Sequence, residues 1–389
     1  MKWERFFKAL FWLQVGINLI GALGPELSFD ALWYHLPIAR MLSEHGTWGT
    51  VQGGLLYHSG FPRLMDWIYG GLLWTGRGTE SPEFLPKLLH YLLGVGSGLL
   101  IARMGGWAAA VIWYATPLVG WLSVTAYIDL ARTFFVLLSV FYLTQRRPYR
   151  SALAMGVAYS VKILSGIEAM ALTFIWGWTA RNWKASAKYL LVVAPFVVSW
   201  GLLNLSQHYG FFYPLGQFGV VREHVAWSWS VITGPMIGDG RYILPELALL
   251  AIWLSRQASI KKWILVGAIT QGLVGMGYRG LANLKFVPYL LGQENKDVFL
   301  TNRLNFAYGD WYDADGWVRA HLVDKKYLVV GVHNTYYLPG SQWDHESWAD
   351  MGSCYSHVLA QGAGDLHPDW QLVHEVPQTD TRIYETRCL

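Results

Sequence analysis

Long apolar runs separated by short basic connections set the pattern of this chain from Phe6 to Gly277. Runs of this length with few internal charges predict membrane-spanning helices. The predicted spans are Phe6–Leu23, Phe84–Ala102, Gly106–Leu122, Ala126–Leu143, Ser151–Val161, Ser165–Ala180, Tyr189–Leu205, Ile243–Leu254 and Trp263–Gly277. The connections Gln145–Arg150, Arg181–Lys188 and Arg256–Lys262 are basic and contain no acid. The positive-inside rule places them in the cytoplasm with the N-terminus and Arg103, which needs about nine crossings and leaves the C-terminus outside. A single helix over Ser151–Ala180 would break that rule. Two short helices that turn outside near Lys162–Gly166 keep it, and such short helices imply a cavity or funnel opening outward.

Lys2, Arg5 and Lys8 precede an apolar stretch that could be a signal peptide. It has no small-x-small cleavage site and Pro25 follows Gly24 directly, so it reads as an uncleaved anchor. The exterior then receives three large pieces: loops 24–83 and 206–242, and a tail from about Gly292 to Leu389. Phe61–Tyr69 in the first loop reads as an amphipathic interfacial helix. The polar tail has strand-like stretches at Tyr327–Val332, Trp370–Val376 and Arg382–Thr386. The predicted fold is an α-helical polytopic membrane protein, 1–291, with a small C-terminal α/β extracytoplasmic domain, 292–389.

Composition agrees with this class. Only 14% of residues are charged and 53% are hydrophobic, with a mean hydropathy of +0.25. The 22 Trp and 22 Tyr gather near span ends, as interfacial belts do. A net charge of +4 carried mostly by loops gives no reason to expect a nucleic-acid partner. Both cysteines, Cys354 and Cys388, lie in the tail, where an oxidising exterior would let them pair; two free thiols are the open alternative.

Ionisable groups at exterior helix ends and loops are the candidate chemistry. They include Asp30, His35, His58, Arg63, Asp66, Asp129, Lys162, Glu168, Arg222, Glu223, His224 and Arg279. Carboxylates with cations nearby suit attack on a lipid-linked sugar phosphate. One carboxylate takes the proton of an acceptor hydroxyl, and cations or a metal stabilise the departing phosphate.

Ser28-Phe29-Asp30-Ala31-Leu32-Trp33-Tyr34-His35, directly after the first helix, resembles the first exterior loop of the GT-C superfamily. These are multi-spanning glycosyltransferases that use polyprenyl-phosphate sugars, bacterial mannosyltransferase-like members among them. Ala126-Tyr127-Ile128-Asp129-Leu130-Ala131 resembles the family's second acidic motif, and Ser160–Gly166 its Lys-containing turn. Asn204 with Gly210-Phe211-Phe212-Tyr213-Pro214-Leu215 resembles a later helix end and Pro-containing loop. The likeness covers about the first two-thirds of the chain.

It implies a membrane glycosyltransferase with Asp30 as general base and Asp129 orienting substrate or binding a divalent cation such as Mg or Mn. Lys162, with Tyr34, His35, His58, Arg63, Arg222 and Arg279, would bind substrate or phosphate. The partners would be a polyprenyl-phosphate sugar donor, membrane lipid and an acceptor glycan, lipid or protein. The location would be the inner (plasma) membrane. Several family members carry a paired acidic motif where this chain has a single Asp30, which weakens the case for a tightly held metal.

Each residue also has a structural reading. Asp30 could cap the next helix. Asp129 could pair with Arg132 or Lys162, Lys162 could snorkel, and Arg63 could pair with Asp66. His35 and His58 read mainly as interface histidines; no compact metal-ligand spacing, Gly-rich phosphate loop or nucleophile elbow occurs. The alternative function is a lipid-sugar flippase, a transporter or a scaffold of a glycan assembly complex, against which stands the absence of an internal repeat.

Overall fold

The computed structural model describes residues 2–45, 61–206, 211, 240–257, 261–304, 310–340, 342–346, 349, 352–362 and 369–387. The helices, in order, are α1 (Lys2–Ala22), α2 (Leu36–His45), α3 (Leu64–Gly76), α4 (Phe84–Gly105), α5 (Trp107–Tyr114) and α6 (Pro117–Leu122). They continue as α7 (Asp129–Thr144), α8 (Pro148–Val161), α9 (Ser165–Ala180), α10 (Trp183–Ser206), α11 (Leu244–Ser255) and α12 (Lys261–Asn283). Every predicted span is helical. The chain divides into two compact units: Met1–Gly24, Gly60–Met65 and Phe84–Val287 form the first, and Pro25–Ser59, Asp66–Glu83 and Pro288–Leu389 the second.

The first unit is a membrane bundle. Met170, Trp178, Leu191, Trp263 and Leu281 are 68–73% exposed, an apolar surface that suits lipid and not water. Helices α4 and α10 are each long and apolar enough to cross a bilayer alone. The predicted span Gly106–Leu122 is broken in two. Pro117 has no N–H for the helix ladder, and it holds Thr116 extended at ψ 141°. Thr116 then caps α6 by accepting from the Val119 N–H. The expected division of Ser151–Ala180 into two helices is present: Lys162, extended at φ −151°, ends α8 three residues before α9.

Polar side chains tie the bundle together. Ser139, Ser151 and Tyr189 share a hydroxyl triad at 2.9–3.2 Å that joins α7, α8 and α10. Lys87, fully buried in the first turn of α4, donates to the carbonyls of Gly21 (3.0 Å) and Gly24 (2.6 Å) at the end of α1. A cation there answers the helix dipole and the orphan carbonyls together.

The second unit carries α2, α3, α13 (Lys296–Leu304), α14 (Trp317–His321) and a five-stranded sheet. The strands are β1 (Tyr327–Val330), β2 (Trp343–His345), β3 (His357–Gln361), β4 (Gln371–Val376) and β5 (Thr381–Glu385), in the order β2-β1-β3-β5-β4. Strand β1 is parallel to β2 and β3, while β5 is antiparallel to β3 and β4. Alternation along β1 sends Tyr327 and Val329 into a core with Trp311, Val318, Leu359 and Ile383. Leu328 turns to the other face, with Tyr355, Val358 and Ala360. Cys354 is disulfide-bonded; the chain's one other cysteine, Cys388, lies outside the described residues.

Helix α12 passes so close to the break between α5 and α6 that a Cβ at Gly275 would lie 1.9 Å from the Ala115 carbonyl oxygen. Gly275→Ala must push backbone apart and is expected to cost about 1–3 kcal/mol. The check is the thermal unfolding midpoint in detergent, with Gly277→Ala, which has open space, as the neutral comparison.

Candidate active site

Two clusters of the predicted residues form, one in each unit. In the first unit the N-terminus of α7, the C-terminus of α8 and the N-terminus of α9 come together. Asp129 opens α7 and is 3% exposed. Its Oδ1 accepts from Lys162 Nζ at 2.6 Å. The Lys162 ammonium also lies 4.6 Å from the Tyr242 ring centroid, and its side chain stays 20% exposed. Arg132, one turn along α7, pairs with Glu168 of α9 and donates to the Tyr242 carbonyl at 2.7 Å. Arg241 lies over the Tyr127 ring at 5.2 Å.

His90 of α4 sets the geometry of this cluster. It is fully buried. Its Nδ1–H donates to the carbonyls of Thr125 (2.9 Å) and Leu122 (3.1 Å), and its Nε2 accepts from the Leu130 N–H (3.0 Å). One imidazole thereby closes the loop before α7 and satisfies an orphan donor of its first turn, which fixes Asp129.

In the second unit Asp30 leads into a π-helical turn, Ala31–His35, which continues as α2. Single π turns recur at functional sites, because the wider turn re-aims side chains. Asp30 has helical dihedrals (φ −62°, ψ −32°) and makes no capping hydrogen bond, so the cap reading fails. Its neighbours are fastened to the sheet domain. Phe29 packs on His333 at 5.4 Å, and Trp33 on His333 at 5.1 Å and His345 at 4.9 Å between ring centroids. Thr335 Oγ1 donates to the Trp33 carbonyl at 3.3 Å. Glu26 is buried and its Oε1 accepts from the Leu27 and Ser28 N–H groups, shaping the turn before Asp30.

The other predicted residues divide. The Tyr34 ring lies tilted against His35, 4.2 Å between centroids, and buried His35 donates to Asp66 at 2.8 Å. Asp66 is therefore the partner of His35. Arg63 is 1% exposed. Arg279 is buried in α12, donates to Asn283 at 2.8 Å and packs against Gly120. Asn283 in turn donates to the Ile17 carbonyl of α1, so this arginine joins helices. His58, Arg222, Glu223 and His224 lie outside the described residues. Among the described residues no three His, Cys, Asp or Glu side chains gather to hold a metal, and the Asp129 carboxylate is paired with Lys162.

Sequence reasoning missed Lys87 and His90, although a charge and an imidazole inside an apolar span were signal enough. It also missed His333, Thr335 and His345, which nothing local links to Asp30.

Lys162→Met leaves the Asp129 carboxylate buried and unpaired, a loss of about 3–5 kcal/mol. The double change with Asp129→Asn should recover most of that stability, read from thermal unfolding. Burial lowers the His345 pKa from 6.5 to about 4, with His333 adding to the shift and Glu346 opposing it. Between those values the unfolded chain binds the extra proton. Stability is therefore full above about pH 6.5 and falls as pH drops towards 4, by up to roughly 3 kcal/mol. Unfolding midpoints measured from pH 7.5 to 4.5 should show this slope, reduced in His345→Gln.

No protein-family model matches the chain, and no curated protein sequence matches it. Solved structures do. The crystal structure of ArnT from Cupriavidus metallidurans bound to undecaprenyl phosphate superposes with a TM-score of 0.58 at 13% identity, covering 98% of each chain. The apo form of the same protein gives a TM-score of 0.50 over 98% of this chain and 97% of that one, also at 13% identity. From the first helix to the terminal sheet, this chain has an ArnT-like fold.

Proposed function

We propose that this chain is an integral-membrane glycosyltransferase that moves a sugar from a polyprenyl-phosphate donor to an acceptor hydroxyl at the extracytoplasmic face. The observation that carries the reading is the likeness over 98% of both chains to a protein solved with undecaprenyl phosphate, a GT-C glycosyltransferase. The motifs around Asp30, Asp129 and Lys162 point the same way from the sequence. The disulfide at Cys354 supports an oxidising, exterior setting for the C-terminal domain; the ArnT-like fold supports an inner-membrane location, and the basic loops a cytoplasmic N-terminus.

Asp30 acts as the general base. Its carboxylate takes the proton from the acceptor hydroxyl as that oxygen forms a bond to the anomeric carbon. The bond from that carbon to the phosphate oxygen breaks with inversion, and the lipid phosphate departs with the electron pair. Lys162 holds the phosphate: Asp129 engages one direction of its ammonium, and two N–H donors remain for an anion. Asp129 is a positioning residue for that lysine.

The test is incubation of purified protein with a panel of polyprenyl-phosphate hexoses and pentoses, scoring release of polyprenyl phosphate by mass spectrometry. Wild type should release it. Asp30→Asn should slow release by about 10²–10⁴ with the unfolding midpoint unchanged. Full activity in that variant would remove the base assignment.

A further inference from the structure

The second unit contains a cavity of about 640 Å³ that the reaction above does not use. Its walls come from α2, α3 with the turn that follows it, the start of α13, Tyr312, Arg319 and the segment 336–339. The volume falls in the range of small-ligand sites.

The wall chemistry is specific. Four cations and four carboxylates line it, so it carries no net charge. Most of these charges already hold one another. Arg40 donates to Glu44 at 2.8 Å, Lys296 to Glu83 at 2.9 Å, and Arg319 lies 3.5 Å from Asp297. An anion or cation meeting these six groups would have to break a pair. What the walls offer is a fixed array of N–H donors and carboxylate acceptors alongside flat rings.

Two features point to a ligand. Glu83 is fully buried at the wall; its Oε1 accepts from Lys296 and from the Tyr337 hydroxyl at 3.1 Å, while its Oε2 has no hydrogen-bond partner. A buried carboxylate oxygen left unanswered is costly. At the rim, Trp74 is 53% exposed, with the Arg77 guanidinium 4.8 Å from its ring centroid. An exposed indole beside donor and acceptor arrays suits a polyhydroxylated ring: its C–H face lies on the aromatic and its hydroxyls meet the paired charges.

We propose that this cavity is a saccharide-binding subsite that takes one neutral, hexose-sized sugar unit. That the unit belongs to a glycan acceptor rests on the transferase reading; the binding itself does not.

The experiment is saturation-transfer NMR on the full chain in a detergent without sugar headgroups. The probes are methyl α-glucoside, methyl α-mannoside and methyl α-galactoside, with inorganic phosphate and glucose 6-phosphate as anionic comparisons. At least one methyl glycoside should receive saturation on its ring protons, and phosphate should not displace it. The signal should fall at least fivefold in Trp74→Ala and in Arg77→Ala, whose exposed side chains can go without unfolding the domain, and should persist in Asp30→Asn. No transfer to any glycoside, equal signals in wild type and both rim variants, displacement by phosphate, or loss in Asp30→Asn would each overturn the proposal. Because Asp30→Asn separates binding from transfer, a wild type that binds glycoside but releases no polyprenyl phosphate would refute the transferase reading alone.

Discussion

In an apolar bundle every charge and every backbone group must find its partner inside the protein, because lipid supplies none. That constraint decides the structure of the first unit. Lys87 meets the carbonyls that end α1, His90 meets the loop and first turn of α7, and Asp129 meets Lys162. Each contact answers a group that helix geometry leaves open, and each fixes a helix end. The helix ends are where the candidate chemistry sits, so the requirement for internal satisfaction and the placement of the site are one problem.

The second unit solves a different problem with aromatic packing. The segment that carries Asp30 is short and follows a helix end, so it has little core of its own. Phe29 and Trp33 flank the carboxylate and rest on His333 and His345 of the sheet domain, while Glu26 ties the turn before it. The histidines act here as flat neutral surfaces. Burial keeps their proton affinity low, so the surface keeps its character at neutral pH.

Much of this was legible in the sequence. Apolar runs gave the helices of the bundle, including the division at Lys162, because lipid imposes length rules that soluble cores do not. The break at Thr116–Pro117 was readable from the proline but lay hidden in one continuous apolar run. Strand β3 escaped because it is short and buried along its whole length, and such strands lack alternation. For Asp129 a structural pairing with Arg132 or Lys162 stood level with a substrate- or metal-binding role; the packing of the helix ends pairs it with Lys162 and gives Arg132 to Glu168. The partners of Asp30's neighbours were out of reach, since ring packing between positions 300 apart leaves no periodic trace.

That separation along the chain has a consequence for biogenesis. Trp33 leaves the ribosome early, while Thr335 and His345, on which its segment rests, follow some 300 residues later. At roughly 5–20 residues per second, the wait is about 15–60 seconds. During that interval the nascent polypeptide has its first helix but no seat for the residues beyond it. The segment around Asp30 therefore gains its support only once the sheet that holds Thr335 and His345 has been made.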